Sequence, residues 1–128
     1  MQPRYRLTVF TDFAAAHSLR GYPGDCSRVH GHNWRVEIEV EAIELNGLGM
    51  AVDFKTVKQA ARTLAAELDH RNLNEIKPFD EINPTAENLA AYFHRGLSAM
   101  LNSAVVRVAS VMIWETDTAG ARYSEEED

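Results

Sequence analysis

Residues 30–41 read His30-Gly31-His32-Asn33-Trp34-Arg35-Val36-Glu37-Ile38-Glu39-Val40-Glu41, and from Trp34 on apolar and charged side chains alternate one by one. Period-two alternation marks a strand with one buried and one wetted face. Trp34, Val36, Ile38 and Val40 therefore face a core, and Arg35, Glu37, Glu39 and Glu41 face away from it, in a strand expected over about residues 30–44. His30 and His32 share the parity of the apolar set. Side chains two apart on a strand stand about 6.6 Å apart along the backbone on one face, so both imidazoles can lean onto a single ion. A His-x-His pair also arises by chance at polar strand ends, so the pattern needs a third donor before it carries chemistry.

A second alternation lies upstream. From Arg4 on, Tyr5, Leu7 and Val9 alternate with Arg6 and Thr8, and counting on in twos reaches Phe13, Ala15 and His17. Unless a bulge intervenes, His17 ends this strand on the apolar face. Neighbouring strands lie about 4.8 Å apart, close enough for His17, His30 and His32 to close a three-histidine site. On its own, His17 would be an ordinary partly buried strand-end histidine. Between the strands, residues 18–28 contain Gly21, Pro23 and Gly24 and read as a loop, which delivers Cys26. This is the only cysteine, so it is a free thiol, a metal ligand or a reactive group, and its polar neighbours argue against simple burial.

Downstream, Asp53 is placed to cap a helix starting near Phe54, whose stripe Phe54, Val57, Ala61, Leu64, Leu68 repeats at helical spacing and ends near His70. Asn83-Pro84-Thr85 opens a second helix, with Asn83 or Thr85 as cap and Leu89, Phe93, Leu97 and Met100 as its buried stripe. Glu87 reads as a helix-start residue and His94 as an incidental histidine. A β-branched run over residues 104–116 marks a third strand ending in Trp114-Glu115-Thr116, and a short fourth strand follows around Arg122 and Tyr123. The order ββααββ predicts an α+β domain over residues 1–128: a four-stranded antiparallel sheet with two helices on one face. Open sheet edges lead us to expect self-association.

The totals narrow the function classes. The chain has 128 residues, 45% hydrophobic and 25% charged, the profile of a folded globular domain. No apolar run approaches the ~20 residues of a membrane span, and the N-terminal region lacks the apolar core of a signal peptide, so a cytoplasmic location is expected. A net charge of −6 without a basic cluster argues against a nucleic-acid partner. The acidic residues 125–128 read as a solvated end.

Six segments together resemble one family: Phe13-Ala14-Ala15-Ala16-His17, Cys26-Ser27-Arg28-Val29-His30-Gly31-His32, Val52-Asp53-Phe54, Leu68-Asp69-His70, Asn83-Pro84-Thr85-Ala86-Glu87-Asn88 and Trp114-Glu115-Thr116. They resemble the 6-pyruvoyl-tetrahydropterin synthase family over nearly the whole chain. The three-residue gap between Cys26 and His30-Gly31-His32 is similar to the bacterial 6-carboxy-tetrahydropterin synthase branch of queuosine biosynthesis. The resemblance implies a tunnelling fold, in which ββααββ units join into a barrel, usually as a homohexamer made of two trimers. It implies 7,8-dihydroneopterin triphosphate as substrate and 6-carboxy-tetrahydropterin, acetaldehyde and triphosphate as products. Carried over by position, it implies that His17, His30 and His32 hold Zn2+, that Cys26, Asp69 and His70 do acid/base work, and that Glu115 anchors the pterin. In the family, the counterparts of Asp69 and His70 come from a neighbouring subunit.

The chemistry is consistent with these residue types. Zinc in an open three-histidine site acts as a Lewis acid on substrate oxygens. A thiol with an ordinary pKa near 8.5 moves toward neutrality beside cations, where it serves as a base. Cys26 could instead close the metal site as a fourth ligand, which would make a structural, non-enzymatic zinc protein. Adjacent residues of a helix do not face one another, so Asp69 and His70 can pair only where the helix ends; without the family, His70 reads as a residue favoured by the helix dipole. A carboxylate at Glu115 can accept two parallel donors from a pterin in one plane, and otherwise reads as a strand-end glutamate reaching solvent. Arg28 and Arg71 are the candidates for the triphosphate. A third alternative keeps the fold and substrate but forms the pyruvoyl product.

Overall fold

The computed structural model describes residues 1–126, so part of the expected solvated acidic end, residues 127 and 128, lies outside the described residues. The two alternations fold as the long strands β1 (Tyr5–His17) and β2 (His30–Ala42), paired antiparallel in unbroken register from Tyr5 opposite Ala42 to His17 opposite His30. No bulge interrupts β1, so its parity count holds to the last residue. Helix α1 (Phe54–Leu68) follows, then strand β3 (Arg71–Asn72), helix α2 (Ala86–Leu101), and strands β4 (Val106–Thr116) and β5 (Ala119–Tyr123).

The sheet has five strands in the order β3-β1-β2-β4-β5, where four were expected. The extra strand is β3, which runs parallel to β1 with Arg71 and Asn72 beside Ala15 and Ala16. Two residues are too few to show an alternation. What creates β3 is His70, whose φ of 59° turns the chain sharply after α1 and whose backbone N–H donates to the Ala14 carbonyl at 2.6 Å. A left-handed conformation is unusual for a residue with a Cβ and is held here by its neighbours.

Both helices lay apolar faces on one side of the sheet. Asp53 caps α1 by accepting from the Lys55 N–H at 2.8 Å, and of the two candidate caps for α2 it is Thr85 that accepts, from the Asn88 N–H at 3.1 Å. Val57, Ala61, Leu64 and Leu68 of α1 and Leu89, Phe93 and Leu97 of α2 are buried with Val9, Phe13, Trp34, Val36, Ile38 and Val40 of the sheet. Each fully buried large side chain of this kind stabilises the fold by about 1.5–3 kcal/mol. Phe54 and Met100 begin and end their stripes in the outermost helical turns and are exposed instead. His94 departs from its expected incidental status: it is buried, edge-on to Tyr123 with ring centroids 5.1 Å apart.

Two irregularities in β4 decide which way its end faces. Against β2, Glu39 pairs with Ser110 but Val40 pairs with Val108, so Ala109 is an extra residue, a β-bulge. Val106 and Val108 point to the core before the bulge, and Val111 and Ile113 point there after it. The change of parity carries Glu115 to the core side of the sheet, the side of His17, His30 and His32. A second shift, between Trp114 and Thr116 in the pairing with β5, leaves Glu115 itself as the extra residue.

Candidate metal centre and active site

The unbroken β1/β2 ladder puts His17 directly opposite His30, with His32 opposite Ala15 two residues further along. The three imidazoles gather at one end of the buried face, with ring centroids 4.6, 4.9 and 5.2 Å apart. Trp34 walls the group off from the core: its ring stands edge-on to His17 and His32, and its indole N–H donates to the Ala15 carbonyl at 3.2 Å.

Backbone carbonyls orient two of the rings. Nδ1 of His17 lies 2.8 Å from the Pro84 carbonyl, and Nδ1 of His30 lies 2.8 Å from the Arg28 carbonyl. A carbonyl only accepts, so each Nδ1 carries the proton and each Nε2 presents a lone pair, the tautomer that a metal-binding histidine uses. Burial holds the imidazolium form of His17 below its ordinary range, with His30 and His32 adding to this and the Pro84 carbonyl and Glu115 opposing it. Burial does the same at His32, against Glu115. Both rings are thereby kept neutral.

Glu115 completes the group. Its Oε1 lies 3.2 Å from Nε2 of His17 and 3.1 Å from Nε2 of His32. These two nitrogens are buried and make no well-aligned hydrogen bond, to Glu115 or to any other described group. Buried orphan nitrogens are costly, and a cation among them relieves that cost. One donor atom from each of His17, His30, His32 and Glu115 lies within 4.8 Å of the others. In a tetrahedral site with bonds of about 2.05 Å, donors stand about 3.3 Å apart. The Glu115 oxygen already stands close to that distance from two of the nitrogens, so the arrangement fits a small divalent ion.

Cys26 is not among these donors. It is half-buried in a short 3-10 turn (Asp25–Ser27), and its carbonyl accepts from the Leu19 N–H at 2.8 Å. The closed site of Cys26 with three histidines is therefore not the one that forms among the described residues.

Asp69 and His70 pair as the end of α1 allows. Asp69 is the C-terminal cap, and its Oδ2 lies 2.9 Å from Nδ1 of His70. Its other oxygen accepts from the Ala14 N–H at 2.8 Å. That backbone bond and the His70 contact hold the Asp69 carboxyl below its ordinary value. The pair stands on the β1 edge that bears β3, three residues or about 10 Å along the strand from His17, and the largely exposed His70 ring is free to meet solvent or a partner.

The carbonyls of Pro84 and Arg28 escaped the sequence reading because backbone atoms carry no signature. A partial signal existed in Asn83-Pro84-Thr85: Pro84 precedes the helix cap, so its carbonyl lies outside the α2 ladder and is left for a side chain. Arg28 and Arg71, the candidates for the triphosphate, are both exposed.

Comparison with known proteins agrees with this geometry. The sequence pattern of the family described as 6-pyruvoyl tetrahydropterin synthase matches residues 6–126. The chain belongs to that family. A relative from Synechocystis named 6-carboxy-5,6,7,8-tetrahydropterin synthase is 34% identical over 116 residues, covering 87% of this chain and 86% of its own. A protein of the same name from Aquifex aeolicus is 33% identical over 124 residues, covering 79% and 76%. The solved structure of Caenorhabditis elegans 6-pyruvoyl tetrahydropterin synthase superposes with a TM-score of 0.83 at 25% identity, covering 98% of both chains.

Proposed function

We propose that this protein is a zinc-dependent 6-carboxy-5,6,7,8-tetrahydropterin synthase, a lyase that converts 7,8-dihydroneopterin triphosphate to 6-carboxy-tetrahydropterin, acetaldehyde and triphosphate in cytoplasmic queuosine biosynthesis. The observation that carries this reading is the convergence of three imidazole Nε2 atoms, two of them set by backbone carbonyls, in a group that leaves the lone thiol out. His17, His30 and His32 would hold the zinc, which supplies Lewis acidity toward the hydroxyls of the substrate side chain.

Cys26, free of the donor group, acts as the base for a carbon-bound proton. His70 is the second proton carrier. Asp69 engages its Nδ1, which orients the ring and leaves Nε2 to exchange the proton. Glu115 receives the pterin, accepting its ring N–H and exocyclic amino group in one plane. The position of Asp69 and His70 on a sheet edge, outside the donor group, is consistent with their serving the site of a neighbouring copy. The one domain would then work as a homohexamer of two trimers, with the outer edge of β5 available for sheet extension. The names of the relatives from Synechocystis and Aquifex aeolicus support the carboxy product.

The deciding experiment incubates the zinc-loaded protein with 7,8-dihydroneopterin triphosphate and assays both acetaldehyde and triphosphate. Both are expected. Triphosphate with a pyruvoyl pterin and no acetaldehyde would assign the other synthase reaction, and release of neither would overturn the reading altogether.

A further inference from the structure

The backbone immediately after His17 is held in an unusual way. At residues 15 and 16 the free edge of β1 is paired by the backbone of β3. Beyond His17 two asparagine side chains take over that edge. Asn74 accepts from the Ser18 N–H at 2.8 Å through Oδ1 and donates to the Ser18 carbonyl at 3.0 Å through Nδ2. Asn83 does the same to Arg20, accepting at 2.9 Å and donating at 3.0 Å. A primary amide offers a donor and an acceptor side by side, as a strand backbone does, so each asparagine stands in for one residue of a missing neighbouring strand.

The residue between the two clamps faces the other way. The Leu19 N–H donates to the Cys26 carbonyl at 2.8 Å. The Cys26 turn then closes on itself through Ser27 N–H to Gly24 and Arg28 N–H to Asp25, and the Arg28 carbonyl orients His30. Both asparagines are themselves braced. The Arg20 guanidinium donates to the carbonyls of Phe79 at 2.7 Å and of Ile82 and Asn74 at 3.3 Å, and Asn88 Nδ2 donates to the Asn83 carbonyl at 2.8 Å. A continuous path of hydrogen bonds thus runs from loop residues 74 and 83, through residues 18–20, to the backbone of the only cysteine.

We propose that Asn74 and Asn83 are positioning residues: their amides hold residues 18–20 so that Leu19 sets the Cys26 turn relative to the histidines at the ends of β1 and β2. The role rests on the reading of Cys26 as a proton carrier, and its test does not depend on turnover. Because the protein has one thiol, alkylation by iodoacetamide reports on Cys26 alone.

The experiment compares the zinc-loaded wild type with Asn74→Ala and Asn83→Ala, following alkylation rate against pH, zinc per chain, and kcat and KM. Zinc should remain at the wild-type ratio. The alkylation rate should change several-fold with a displaced pH profile, and kcat should fall by about a hundredfold with KM little altered, the effect of a ~1 Å displacement of a reacting group. Alkylation rates and pH profiles that match the wild type in both variants would overturn the proposal, even if melting temperatures fall, because a merely structural clamp would do only the latter. Should an alanine variant fail to fold, Asn83→Asp keeps the size and the acceptor, loses the donor and is read in the same way. A wild type without turnover would refute the functional reading while the alkylation comparison still decides the clamp.

Discussion

Replacing Glu115 by glutamine separates two duties that the same carboxylate can have. Its Oε1 already lies 3.2 and 3.1 Å from Nε2 of His17 and His32, within a few tenths of an ångström of the ~3.3 Å edge of a tetrahedral site. Without substrate, then, Glu115 needs almost no movement to act as a fourth ligand. Glu115→Gln keeps the size and removes the charge. Loss of even an outer partner of a metal site lowers affinity by about 10–100-fold, so at least that is expected here, or about 1.4–2.7 kcal/mol at ~1.36 kcal/mol per tenfold. Proton competition must be kept out of the comparison. Glu115 raises the proton affinity of His17 and His32 against the effect of burial, so its removal lowers both further and would favour metal binding in acid. At about pH 7.5, above the ordinary imidazole value of about 6.5, the rings are neutral in both proteins and this effect vanishes. The assay is zinc competition against a chromophoric chelator in the absence of substrate. A Glu115→Gln protein that holds zinc within about threefold of the wild type would refute the carboxylate's role as a resting ligand. If Glu115 also anchors the pterin through two charge-assisted hydrogen bonds, each worth about 1.5–3 kcal/mol, KM should rise at least tenfold.

Three further outcomes are expected. Cys26→Ala should retain a full complement of zinc and lose turnover by about 10²–10⁴-fold; loss of zinc on purification would instead make the thiol a ligand. Gly120→Ala would put a Cβ 2.7 Å from the Ile113 carbonyl oxygen and 3.0 Å from the Trp114 ring, beside the bulge that aims Glu115. A cost of about 1–3 kcal/mol should appear as a shifted urea midpoint, and an unchanged midpoint would mean that the β4–β5 turn is freer than its geometry indicates. Asp69 is held below its ordinary carboxyl value by the Ala14 N–H and by His70. A depressed folded value means the unfolded chain takes up the proton first, so the stabilisation is fully present above the unfolded value of 3.8 and is lost as pH falls through the folded one. The stability advantage over Asp69→Asn should therefore be constant near neutrality and shrink below about pH 4, as read by urea denaturation across pH; an advantage that does not change with pH would remove the carboxylate's charge from the account.

Much of the fold follows from periodicity. The alternation through residues 34–41 and the count in twos from Tyr5 to His17 describe β1 and β2 because a strand's side chains alternate strictly, and no bulge spoils the count. Asp53 and Thr85 mark their helices because a helix start leaves backbone N–H groups that a short polar side chain can take. In β4 this logic gives out. The parity of Val106 and Val108, carried forward without interruption, would turn Trp114 to the core and Glu115 outward. It is the Ala109 bulge, visible only as a mismatch between paired strands, that reverses them.

The sequence by itself determined the residue types, the two helices, the long antiparallel pair and the parity that gathers three histidines, because each of these depends on spacing along one chain. The tertiary structure alone decided the fifth strand, the turn at His70, the tautomers imposed by the Pro84 and Arg28 carbonyls, the exclusion of Cys26 from the donor group and the inward aim of Glu115. Each of those depends on which backbone group meets which across the fold, and a backbone carbonyl is the same atom in every residue. Only its position in space distinguishes it.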